Sequence, residues 1–166
     1  MIGPQFRKAA LVIALASLPS PGTARDSLGV YDGWGAFRDA SPLHCYAIAE
    51  PEGRSQAKWR PFASVSWWPA QAARGQVHIR LSRQIRSGAS VMLVAGGRKW
   101  RLKAGQYDAW SPSARHDAFI LTRLRSAPSF SVSSVAATGG GFADTYLLKG
   151  AASAFDAAAL GCAKAQ

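Results

Sequence analysis

The chain contains no asparagine, only two cysteines, and only nine acidic residues against twenty Lys and Arg. Two cysteines are too few for a disulfide-dense miniprotein or for a tetrahedral four-cysteine zinc site. No apolar run reaches the roughly 20 residues that a membrane-spanning helix needs, which excludes a multi-span membrane protein. Charged residues make up only 17% of the 166 residues, while 48% are hydrophobic. That balance can bury a core and is not that of a disordered chain. The length is that of one domain. The formal charge of +11 rests on fourteen Arg and six Lys. Missing Asn, abundant Ala and a preference for Arg match the bias of a GC-rich coding sequence. An ordinary solvated basic surface and attraction for an anionic partner are therefore both open readings of the charge.

The first segment reads as an export signal. Arg7 and Lys8 precede an apolar run from Ala9 to Leu18, followed by Pro19, Pro21 and the small residues Gly22-Thr23-Ala24. Basic, apolar and small residues in that order are the pattern of a secretory signal. Ten helical residues reach about half of the roughly 30 Å hydrocarbon core, too short for a permanent span. No cysteine follows the cleavage region, which disfavours a lipid anchor. Cleavage after Ala24 leaves residues 25–166 as one domain with a charge of +9, since Arg7 and Lys8 are removed. In an oxidising compartment the two cysteines, Cys45 and Cys162, are expected to be joined. His44 adjoins Cys45, but neighbours on a strand point to opposite faces, so a Cys–His catalytic pair is not expected.

The mature chain reads as short strands broken by Gly, Pro and Ser. Strands are expected at 30–38, 43–49, 61–68, 76–83, 91–95, 98–102, 106–110, 129–136 and 142–149. A polar loop, 50–58, separates the second and third. Gly96-Gly97 between two strand-like runs predicts a tight hairpin, because glycine takes the positive φ angles of a primed turn. Residues 117–125, with Phe119, Ile120 and Leu124 at helical spacing and Ser113 as an upstream cap, predict a short internal helix. Ala-rich residues 151–163 predict a C-terminal helix whose Phe155, Ala159 and Cys162 share one face. Many short strands with two brief helices indicate an all-β sandwich. Six Trp rings are more often core and edge packing than a ligand platform.

Little chemistry is legible. His44, His78 and His116 are scattered, none at metal-ligand spacing. Ser131–Ser134 lack the elbow motif of a serine nucleophile, and Gly139–Gly141 is followed by neither the Lys nor the helix of a phosphate loop. Nothing selects a carboxylate pair among Asp108, Asp117 and Asp144. No enzyme, metal or cofactor is expected.

Several motifs in order resemble the invasion-associated locus B family of exported Gram-negative proteins. His44-Cys45-Tyr46-Ala47-Ile48-Ala49-Glu50-Pro51 is similar to its early Cys-Tyr strand, and Ala63–Ala70 with Trp67-Trp68-Pro69 to its next. Gly88–Leu102 resembles its central hairpin, Asp108-Ala109-Trp110 the strand after it, and Asp144–Gly150 with the helix ending in Cys162 its C-terminal signature. The resemblance covers about Leu43 to Cys162. It implies an immunoglobulin-like β-sandwich with one short internal helix and a C-terminal helix, export to the periplasm or beyond, and a non-enzymatic role at the cell envelope, with no catalytic residues to carry over. A second early cysteine of many members is missing here. A neutral stretch before the hairpin is replaced by Arg80-Leu81-Ser82-Arg83-Gln84-Ile85-Arg86.

That replacement puts cations beside the hairpin. Lys99, Arg101 and Lys103 alternate to one side of their strand, and Arg80, Arg83 and Arg86 precede it in a stretch free of acid. These six residues define a candidate anion-binding patch for lipopolysaccharide or acidic glycans. The competing reading is that like charges on outer strands discourage edge-to-edge pairing. Nucleic acid is disfavoured, since export separates the protein from it and no stacking motif is evident.

Overall fold

A computed structural model describes residues 25–53 and 58–163; the expected signal segment 1–24, part of the 50–58 loop and the last three residues lie outside the described residues. Ten strands and two helices follow in the order β1 (Arg25–Tyr31), β2 (Trp34–Ala40), β3 (Leu43–Ala49), β4 (Phe62–Trp68), β5 (Ala73–Arg80), β6 (Val91–Ala95), β7 (Arg98–Ala104), β8 (Asp108–Trp110), α1 (Ala114–Leu124), β9 (Ser129–Val135), β10 (Gly141–Leu147) and α2 (Ala151–Ala163). Among the described residues, no helix is long and apolar enough to cross a membrane.

The strands form one antiparallel sheet in the order β1-β2-β3-β4-β5-β8-β7-β6-β9-β10. The first five make a meander. The next three run back, so that β8 rather than β6 lies against β5. The chain then crosses through α1 to place β9 on the far side of β6, with β10 outermost.

Strand β10, at one end of the sheet, is tied back to the first half of the chain. Thr145 and Leu147 of β10 present carbonyls along its outer edge, two residues apart. The first accepts the Glu52 N–H at 2.7 Å and the second the Trp34 indole N–H at 2.8 Å. These bonds cover an otherwise open edge, and the sheet folds on itself around a common core. The architecture is mostly β and agrees broadly with an all-β sandwich.

Strict alternation decides what enters that core. Ala47, Val65 and Val77 lie in one transverse row, and Ala49, Ala63, Ile79 and Ala109 in the next; all seven are buried. From the other half come Leu93, Val132, Phe130 and Tyr146. Phe130 and Tyr146 stack at 4.7 Å. Helix α2 packs on β1–β4. Its buried stripe is Ala151, Ala154, Phe155, Ala158 and Cys162, and the small alanines let it approach the sheet closely. Phe155 meets the fully buried Trp34 edge-on at 5.2 Å, a geometry worth about 0.5–1.5 kcal/mol beyond burial. Cys162, at the end of this stripe, is bonded to Cys45 of β3, with sulfurs 2.10 Å apart.

Several elements differ from the sequence reading. Residues 30–38 are not one strand but parts of two, folded about Asp32-Gly33 with Asp32 at φ 52°; Asp tolerates that region, and the dipeptide is itself a hairpin signal. β5 begins and ends three residues earlier than its alternation indicated. Ser113 caps α1 as expected, its hydroxyl accepting the His116 N–H, but the helix starts at Ala114. Phe119 of α1 is 52% exposed, because the buried stripe runs through Asp117, Ile120 and Leu124. On α2, Ala159 sits at the margin and Ala158 takes its place. The Gly96-Gly97 hairpin is as expected, with φ of 51° and 73°.

Candidate functional site

The alternation that fills the core also builds the opposite, outward face of the sheet. Ile48, Ser64, His78, Trp110 and Lys103 fall in a single row across β3, β4, β5, β8 and β7. On one side lies the row Phe62, Arg80, Asp108. On the other lies Phe37, Tyr46, Ser66, Gln76. This face therefore collects aromatic rings, two histidines and charge. Ser64 and Ser66 on its floor are each 6% exposed, since larger neighbours shade them.

At the β5–β8 end the groups fix one another. Arg80 donates to both oxygens of Asp108, at 2.9 and 3.1 Å, and the same carboxylate lies 2.9 Å from His78 Nε2. The His78 ring stacks on Trp110 at 5.1 Å and 4° and meets the edge of Phe62 at 5.3 Å. Lys103 stands opposite Trp110 on β7. Lys99, Arg101 and Lys103 all project outward from β7, while Leu102 between them is buried. Arg101 donates to the Ser90 hydroxyl. β7 lies within the sheet order, although β8 pairs only with its last two residues.

A related cluster occupies the β3–β4 end. His44 stacks flat on Trp68 at 3.5 Å and on Tyr46 at 4.7 Å. Its Nδ1 lies 3.9 Å from Asp39, which also holds Arg25 at 2.9 Å. A cavity of about 440 Å³ opens among Arg25, Asp39, Ser41, His44 and Trp68. Burial pushes the His44 imidazole below its ordinary value; Asp39 opposes that shift and Arg25 adds to it. Burial thus favours the neutral form of the ring. Burial likewise raises the Tyr46 phenol.

The six cations of the sequence reading separate into two groups. Lys99, Arg101 and Lys103 form the outward row on β7, and Arg80 joins this face through Trp110 and Asp108, with its charge matched by Asp108. Arg83 and Arg86 lie on the connection from β5 to β6. There Arg83 lines a separate cleft of about 730 Å³ with Trp59, Phe142 and Asp144, while the Arg86 N–H donates to Val135 O. Among the described residues, no carboxylate lies within ion-pair distance of Arg83, Arg86, Lys99, Arg101 or Lys103. His44 and Cys45 do face opposite ways, with Cys45 in the core. Asp117 and Asp144 are buried and accept backbone N–H groups from Val77 and Ser82, whereas Asp108 is on the outer face. The three carboxylates are engaged separately. Among the described residues, no three of His, Cys, Asp and Glu are grouped to hold a metal.

The sequence reading sets His78 and Arg80 on one side of their strand, beside the cationic hairpin, and misses the aromatic rings of this face. Its signal was present in the alternation of Phe62, Ser64, Ser66 and Trp68 and of His78 with Arg80. Reading it required knowing that β8 inserts beside β5. Set against known proteins, the chain matches no family model, no curated protein and no solved structure.

Proposed function

We propose that the chain is an exported, non-enzymatic binding protein of the cell envelope that engages an anionic polymer through the outer face of its sheet. The observation that carries this reading is the row Lys99, Arg101 and Lys103, unmatched by acid among the described residues and continuous with the His78–Trp110 stack. Three cations at alternate positions of one strand are spaced by about 7 Å, a repeat that suits a chain carrying regular negative charge. The order of motifs from Leu43 to Cys162 supports an immunoglobulin-like sandwich of the invasion-associated locus B type, and the Cys45–Cys162 bond supports life in an oxidising compartment.

The test is retention of the protein on heparin and on immobilised lipopolysaccharide as salt is raised. Three cations that release counterions give a slope of log affinity against log salt of roughly −2 to −3. Replacing Lys99 and Arg101 with Glu is expected to abolish retention. Retention that survives the double replacement refutes the assignment of the site. Cell fractionation, with alkylation of free thiols before lysis, tests export: two reactive thiols in the recovered protein count against it.

A further inference from the structure

We infer that the anionic polymer is an acidic polysaccharide, with Trp110 the platform for one sugar ring and Lys103 and Arg101 the partners of its acidic groups. This rests on the polyanion reading above and names the class of polymer.

The argument begins with Trp110 itself. It is 38% exposed, between the half-buried His78 and the exposed Lys103 in its row, and leaving that much indole in water forgoes burial that other Trp residues here obtain. Trp34, by contrast, is fully buried. The exposed ring is also fixed in place. His78 lies flat against it, Asp108 holds His78, and Arg80 clamps Asp108 with two hydrogen bonds. Below the ring lies Gly105, where an added Cβ would come within 3.4 Å of the indole. A rigid, part-exposed aromatic surface is preorganised for stacking, so little ordering is lost when a ligand ring covers it.

The charge beside the ring selects among flat ligands. Lys103 is the direct cross-strand partner of Trp110, which sets their Cβ atoms about 5 Å apart. Its ammonium thus reaches a carboxylate or sulfate on a sugar stacked over the indole. Arg101 follows on the same side of β7, about 7 Å further along, within reach of the next acidic unit. The C–H face of a pyranose presents a weakly positive surface to the negative face of an indole. A polyphosphate has no such face. A single-stranded nucleic acid stacks successive bases on several exposed rings, whereas on this side of the face His78 and Phe62 are half-buried against one another and β7 beyond Trp110 offers cations.

Three probes of similar length separate the cases: a heptamer of galacturonic acid, a heptameric polyphosphate and a seven-nucleotide oligothymidylate, each titrated into the full chain at fixed salt. The galacturonate is expected to bind most tightly. Trp110→Ala is expected to weaken it by about fivefold, the size of one aromatic contact, and to leave polyphosphate within twofold. Trp110→Tyr, which keeps a ring at the position, is expected to restore most of the loss and guards against misfolding of the alanine variant. Equal loss for all probes, or no loss for galacturonate, overturns the inference while polyphosphate binding leaves the polyanion reading standing. Tighter binding of the oligothymidylate overturns it in favour of nucleic acid. Binding of none of the probes removes both readings.

Discussion

Replacing Cys45 and Cys162 together with alanine removes a cross-link that spans 117 positions of the sequence. In the chain-entropy model, closing a loop of that length in the unfolded state contributes about 4.9 kcal/mol at 25 °C. A domain of this size has roughly 5–15 kcal/mol of net stability, so the bond supplies a large part of it. The expected fall in midpoint is roughly 15 °C or more. Both sulfurs are buried, which adds a smaller packing loss in the variant. Reduction of the unaltered protein separates the two effects, because it opens the loop and keeps the sulfurs. Urea unfolding followed by near-ultraviolet circular dichroism, which reports the packed aromatic side chains, Trp34 and Tyr146 among them, is the appropriate assay. The reduced protein is expected to show a lower midpoint and a steeper urea dependence, since its unfolded chain exposes more surface. A reduced form within about 1 kcal/mol of the oxidised one refutes the reasoning. It would mean that packing of α2, through Phe155 on Trp34, secures the fold without the covalent tie.

Two further effects complement the salt-dependent retention and the Trp110 series described above. Asp117 is buried at the start of α1, and burial raises its carboxyl above the ordinary range, against the pull of the Val77 N–H, Ser111 and His116. The folded protein therefore holds this proton more tightly than the unfolded one, and the stability gained is complete below the ordinary carboxylate value. It is lost as pH rises through the folded value. Asp117→Asn keeps an acceptor for the Val77 N–H and removes the charge, so urea midpoints above that window are expected to match or exceed the parent, with a flatter pH profile. A variant that is weaker by the same amount at every pH contradicts this account. Gly150, at φ 82°, leaves no room for a Cβ, which would overlap the Tyr31 carbonyl. Gly150→Ala is expected to destabilise by more than about 1 kcal/mol, read as a lowered thermal midpoint, and an unchanged midpoint rejects the packing argument.

Local patterns were the most legible part of this chain. Leu43–Ala49 and Ala151–Ala163 run in the structure as they do in the sequence, because a short apolar run closed off by Pro42 and Pro51 and an unbroken Ala-rich stretch each have one ready interpretation. The hairpin at Gly96-Gly97 and the cap at Ser113 are chemical signals carried by one or two residues. The errors fall where a local signal was ambiguous. Phe119 has helical spacing with Ile120 and Leu124, yet an eleven-residue helix docked on β5 and β6 has only one buried stripe, and Asp117 occupies it by bonding to the Val77 backbone. Asp32-Gly33 was overrun because residues on both sides favour strands.

The candidate site divides in the same way. The alternation of Lys99, Arg101 and Lys103 to one side of a strand is a property of the backbone period, and the sequence determined it unaided. So too were the basic balance, the antiparallel character of the hairpins and the availability of two cysteines for one bond. Which strands become neighbours is a non-local choice, made by packing the whole core and by joining β10 to Trp34 and Glu52. Only the tertiary structure placed β8 between β5 and β7, and with it Trp110 between His78 and Lys103. Only it matched Arg80 with Asp108 and sent Arg83 to a different cleft. Periodicity assigns residues to a face; long-range pairing decides what that face contains.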